Sequence, residues 1–150
     1  MPSILVIYHS QEHGNTGAMA KAIAEGAVAA GAKVTSVNTD EDRLDIEQYR
    51  AFDGAAFGSP DYYSYVAGGF KMFIDDWYIA RGKNPKGLDG KPYVLFYSHG
   101  GGGAVRKVLE SLCKDKGEKV RETIESRGAP SAAVLEQCRK AGAALAKACA

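Results

Sequence analysis

A chain of 150 residues, 45% of them hydrophobic, can fill one substantial core, and its length gives no reason to expect a second domain. Nineteen basic and eighteen acidic side chains, interleaved along the chain, leave a net charge of +1 and no broad patch of one sign, which argues against nucleic acid as a partner. No apolar run approaches the roughly 20 residues needed to cross a membrane, and no basic start leads into a long apolar stretch, so the expectation is a cytoplasmic protein without membrane contact.

In chain order, the short β-rich run at residues 4–8 reads as a first strand covered on both faces. A cluster of hydroxyl, amide and glycine groups follows it. Met19, Ala22, Ile23, Gly26 and Ala30 then recur at helical spacing, and Gly31 provides a stop. "AKVTSVNT" predicts strand two, residues 46–52 a connecting segment, and "GAAFGSP" a third strand of small residues ending at Gly58, Ser59 and Pro60. Phe70, Phe73, Ile74 and Trp77, spaced i, i+3, i+4 and i+7, predict an amphipathic helix.

"KPYVLFYSH" predicts strand four and runs into four consecutive glycines at 100–103, after which Val105, Val108, Leu109 and Leu112 give another helix. Residues 118–126 carry only Val120 and Ile124 as apolar side chains and read as a charged edge strand, with a helix as the alternative. Leu135, Cys138, Gly142, Leu145 and Cys149 form a last helix, entered at Pro130 and Ser131. The three cysteines, Cys113, Cys138 and Cys149, form no CxxC pair and fall at helical positions, so they read as buried or half-exposed thiols rather than a disulfide frame or metal site.

Strands alternating with helices imply an α/β architecture, a doubly wound parallel sheet with helices on both faces, and ligands of such sheets bind at the carboxyl ends of the strands. Three polar or glycine-rich segments follow predicted strands, at residues 10–16, 59–65 and 98–103, and would meet at one sheet edge. In the first, Ser10, Gly14, Asn15 and Thr16 stand at a helix start, where unpaired N–H groups and the helix dipole attract an anion. An ordinary N-cap is the competing reading. The segment has no lysine of the triphosphate-binding type, no GxGxxG, no cysteine nucleophile, and no paired aspartates after the strand. A terminal phosphomonoester, bound and left intact, is the ligand that survives these exclusions.

In the second segment, Tyr62, Tyr63 and Tyr65 offer aromatic surface for a flat ring, or closure of the core or an interface. The glycine run of the third lets backbone approach a ligand closely. His9, directly after the first strand, reads as a structural histidine, whereas His13 and His99 are candidates for ligand-side roles.

The stretches "ILVIYHSQEHGNT", "GSPDYYSYVAGGFKMFIDDW" and "YVLFYSHGGGG" resemble the flavodoxin-like FMN proteins, and the middle stretch especially the NAD(P)H:quinone oxidoreductases of the tryptophan-repressor-binding-protein type. The resemblance covers about residues 4–112 and implies a flavodoxin-like, five-stranded sheet. It implies FMN as cofactor, with Ser10, Gln11, Glu12, His13, Gly14, Asn15 and Thr16 around the ribityl phosphate. Ser59, Pro60, Asp61, Tyr62 and Tyr63, then Ser98, His99, Gly100 and Gly101, would bracket the isoalloxazine ring.

The implied function is an FMN-binding flavoprotein of electron transfer, with an NAD(P)H-dependent quinone or FMN reductase as the alternative. A flavin-free interaction module is a third reading. The implied partners are a redox protein, or NAD(P)H and a quinone, and a homodimer is open to the chain. Three departures stand out: one additional residue between Ser10 and Gly14; Glu12, which must point away from a phosphate or be offset by His13; and the absence of both long insertions and strong acidity.

Overall fold

The protein is described by a computed structural model covering residues 1–150. Its first strand, β1 (Ser3–Tyr8), shows how the sequence builds both faces of the sheet. Leu5 and Ile7 enter one buried cluster, Ile4 and Val6 the other, as side chains alternate across a strand. The run is continuously apolar because helices cover both faces.

Helix α1 (Asn15–Ala29) leads to β2 (Lys33–Asn38), a short α2 (Ile46–Tyr49) and β3 (Gly54–Pro60). Helix α3 (Gly68–Lys83), β4 (Lys91–His99), α4 (Val105–Cys113), β5 (Gly117–Lys119), β6 (Ile124–Arg127) and α5 (Ala132–Cys149) complete the chain. All strand pairs are parallel, in the order β2-β1-β3-β4, with both β5 and β6 on the outer edge of β4. The sheet therefore has five strand positions, as expected, and the fifth is divided in two. The segment expected as one charged edge strand bends away at residues 121–123, where Glu110 of α4 accepts from Lys119 Nζ at 3.0 Å and Thr123 Oγ1 at 2.8 Å. The helical alternative for these residues does not form.

On one face, Phe57, Phe70, Phe73 and Tyr93 pack ring against ring beneath α3 and α4, with Trp77 and Leu109 beside them. On the other, α1 and α5 lie so close that a Cβ on Gly26 would stand 1.9 Å from Arg139 O, and one on Gly142 2.0 Å from Ile23 O. The small residues of β3 have a similar cause: a Cβ on Gly58 would stand 2.2 Å from the ring of Phe96, its partner on β4. Cys113 and Cys138 are buried and Cys149 half-buried, all free thiols; burial pushes the first two up to about 12. No helix is long and apolar enough to cross a membrane.

From β1 the chain moves outward to β2, then crosses back to β3 on the other side. That reversal opens a crevice at the carboxyl ends of β1 and β3.

Candidate functional site

A cleft of about 440 Å³ occupies this crevice, lined by residues 10–16, by Pro60, Asp61 and Tyr62, and by Ser98, His99, Gly100 and Gly128. The three segments singled out in the sequence do converge.

The first loop is held from beneath. Asn38, at the end of β2, clasps Ser10: its Oδ1 accepts the Ser10 N–H at 3.0 Å and its Nδ2 donates to Ser10 O at 2.9 Å. The buried His9 ring contacts Thr39 Oγ1 at 2.9 Å and Gln11 Oε1 at 3.1 Å, loop side chains rather than the loop backbone. Gly14 adopts a left-handed φ of 73° at the entry to α1, a turn that glycine makes at no steric cost. Residues 11–14 of this loop are exposed.

No side chain of the N-cap residue caps α1, and its first turn contains no acidic residue. Helix α5, by contrast, is capped by its own Ser131, which accepts the Val134 N–H at 3.2 Å. The start of α1 thus keeps backbone donors directed into the cleft, the arrangement that receives an anion. Ser10 Oγ accepts the Gly17 N–H at 3.1 Å, and the buried Thr16 Oγ1 lies 2.8 Å from Ser98 Oγ. Glu12 Oε1 lies 3.2 Å from His13 Nε2, both side chains exposed.

In the second loop, the Asp61 N–H donates to Ser98 O at 2.9 Å, while its carboxylate accepts from the N–H groups of Ser64 at 2.8 Å and Val105 at 3.2 Å. Asp61 thereby ties this loop to the start of α4. Tyr62 and Tyr65 exchange two backbone hydrogen bonds around Tyr63 and Ser64, whose φ values of 55° and 63° make a tight left-handed turn. Tyr62 faces the cleft, edge-on to His9 at 6.0 Å, and burial raises its hydroxyl pKa.

Three expected residues lie outside the lining. Tyr63 is fully exposed at the tip of the turn, because its left-handed backbone turns the side chain outward. Ser59 is wholly buried: its Oγ donates to Pro60 O at 2.8 Å and accepts the Ala67 N–H at 3.0 Å, shaping the loop from inside. Gly101 turns its N–H onto His99 Nδ1 at 3.1 Å. Asn38, Thr39 and Gly128 were not anticipated. The first two end the strand beside β1, so sheet order would have revealed them; Gly128 follows a strand whose division the sequence did not disclose.

The family model for flavodoxin matches residues 6–142. The chain belongs to the flavodoxin family. The cyanobacterium Nostoc sp. (strain PCC 7120) has a relative, named "Putative diflavin flavoprotein A 4", that is 30% identical over 146 residues, covering 95% of this chain and 24% of that protein. This flavodoxin spans about a quarter of the length of the curated relatives it matches. A flavodoxin from the domain Archaea superposes with a TM-score of 0.79 at 23% identity, over 97% of this chain and 96% of that one. The Flv1 flavodiiron core from Synechocystis sp. PCC 6803 gives 0.81 at 23% identity, over 99% of this chain and 36% of that one.

As a member of this family, the protein is an FMN-binding flavoprotein. Sheets of this strand order hold FMN at the switch point between β1 and β3. The residues at that point fit the cofactor: the N–H groups of Asn15 and Thr16 in a first turn of α1 that contains no acid, and an aromatic side chain beside two backbone-walled loops.

Proposed function

We propose that this flavodoxin is a single-electron carrier, working in the cytoplasm as one domain, that receives electrons from one redox protein and delivers them to another. FMN supplies the redox chemistry when bound, exchanging electrons singly or as a hydride equivalent. Residues 10–16 would take its phosphate, with the Thr16 hydroxyl and the backbone of Asn15 at the helix start. Tyr62 would cover the ring, and Pro60, Asp61, His99 and Gly100 would border its edge. No side-chain nucleophile is required. The protein would position the ring and limit its contact with water.

The single observation that supports a carrier over an NAD(P)H-dependent reductase is the flavodoxin family model, which matches residues 6–142. The test is anaerobic mixing of the FMN-loaded protein with NADH or NADPH. A carrier keeps its yellow colour until dithionite or a reductase protein is added. Rapid bleaching by either nucleotide would make it a reductase, and failure to take up any flavin would remove the redox reading and leave the interaction module.

A further inference from the structure

Strands β4 and β6 run in register with Tyr97 opposite Glu125 and His99 opposite Arg127, so side chains of both strands meet next to the glycine loop. We propose that Glu125 is a positioning residue for that loop, acting through His99 to fix Gly101 and Gly103. The proposal deepens the preceding reading and rests on it in one respect, that the loop borders the flavin ring.

Glu125 Oε2 accepts from the Tyr97 hydroxyl and lies 3.1 Å from His99 Nε2. On the other side of the imidazole, Nδ1 lies 3.1 Å from the Gly101 nitrogen. A backbone N–H can only donate, so Nδ1 must be the unprotonated nitrogen and Nε2 must carry the proton. Glu125, accepting that proton, selects the tautomer that can hold Gly101. The ring is 8% exposed and stacked on Tyr97 at 5.9 Å, so it cannot swing to another partner without losing that contact.

Gly103 adds a second contact. At its left-handed φ of 67°, a Cβ would stand 3.1 Å from Glu125 Oε2 and 3.3 Å from His99 Nε2. The loop is therefore laid directly on the His99–Glu125 pair. The other charged group acting on the pair is Arg106 of α4, which also faces Glu110 and the Tyr97 hydroxyl. Without the Glu125 carboxylate, the imidazole is free to place its proton on Nδ1. Two donors then face each other at Gly101, and the loop leaves the ring.

The test compares Glu125→Ala and Glu125→Gln with the parent in flavin-free protein, using ¹⁵N spectra of His99 at a pH where imidazoles are neutral, together with hydrogen exchange at Gly101. The parent is expected to show the Nε2-protonated form. Glu125→Ala should give mixed tautomers and exchange about tenfold faster at Gly101, the equivalent of one neutral hydrogen bond. Glu125→Gln, whose carbonyl accepts the same proton, should restore both signals.

On flavin binding, Glu125→Ala should weaken FMN and riboflavin by the same factor, about tenfold. Parent-like tautomer and exchange in Glu125→Ala would overturn the proposal, as would a loss confined to FMN. If the parent binds no flavin, the carrier reading falls, while the spectra of the flavin-free protein still decide the role of Glu125.

Discussion

The Thr16 and Ser98 hydroxyls lie 2.8 Å apart in the protein interior and join the start of α1 to the end of β4 across 82 residues of sequence. A hydroxyl can donate and accept at once, so Thr16 can bond Ser98 and still serve a phosphate. Thr16→Ala should weaken FMN more than riboflavin in titration calorimetry; equal losses would contradict a phosphate role. Each single alanine leaves one buried hydroxyl unpaired, costing about 1–3 kcal/mol. The double variant should cost less than the sum of the two in urea melts, and additive losses would mean that the pair is not coupled.

The contact of α1 with α5 makes a prediction independent of the cofactor. Gly142→Ala places its methyl group against the backbone carbonyl of Ile23, and neither helix can yield locally. Overpacking of this kind costs about 1–3 kcal/mol, which should appear as a lower melting temperature for both the loaded and the flavin-free protein. An unchanged midpoint would mean that the helices are further apart than described.

The Tyr49 hydroxyl is the one buried side-chain polar atom without a hydrogen-bond partner. Tyr49→Phe keeps the ring against Phe73 and beneath Lys91 Nζ, and removes only the group whose burial is uncompensated. We expect stability gained by about 1 kcal/mol in chemical denaturation, and a loss of similar size would show that the hydroxyl is satisfied in solution.

Lys91 predicts an unusual pH profile. Its buried Nζ donates to Tyr49 O and Phe52 O, and desolvation lowers its pKa to about 8. An unfolded lysine holds its proton to about pH 10.4, so above pH 8 the unfolded chain binds more protons and stability from this group rises with pH. Lys116, also lowered by burial, acts in the same sense. Cys113 and Cys138 act oppositely above 9, the ordinary thiol value from which burial raises them. Stability should climb from pH 8 to 9, flatten where the two thiols offset the two lysines, and fall once unfolded lysines also lose their protons, above about pH 10.4. The climb should shrink in Lys91→Met, and a parent profile that falls throughout would refute the assignment.

Much of this architecture was legible in the sequence because periodicity reports burial. The spacing of Phe70, Phe73, Ile74 and Trp77 gave the core face of α3, and the runs at residues 4–8 and 91–99 gave strands buried on both sides. Convergence of the three loops followed from each standing after a strand. Less legible were features set by partners distant in sequence. Nothing near Ser59 signals that its hydroxyl shapes the loop from within, and nothing near Tyr63 signals a left-handed backbone, which is rare outside glycine and asparagine. By sequence Glu125 is only one charge in a segment that suits an edge strand or a helix. Its meaning depends on register with β4, which no local pattern encodes.

The divided fifth strand carries a consequence for how such a molecule can grow. β5 pairs with the amino end of β4 at Lys91, Pro92 and Tyr93, and β6 pairs with its carboxyl end from Phe96 to His99. Between the two halves, Arg121 and Glu122 contribute no rung to the ladder. Extra residues entered there would loop outward at the modest entropic cost of lengthening a surface segment, with both flanks still tethered to Glu110. The added chain would emerge beside α4, upstream of Glu125 and the glycine loop. The fold thus offers a doorway for new surface next to its cofactor cleft, through which partner choice could be rewritten while the sheet stays intact.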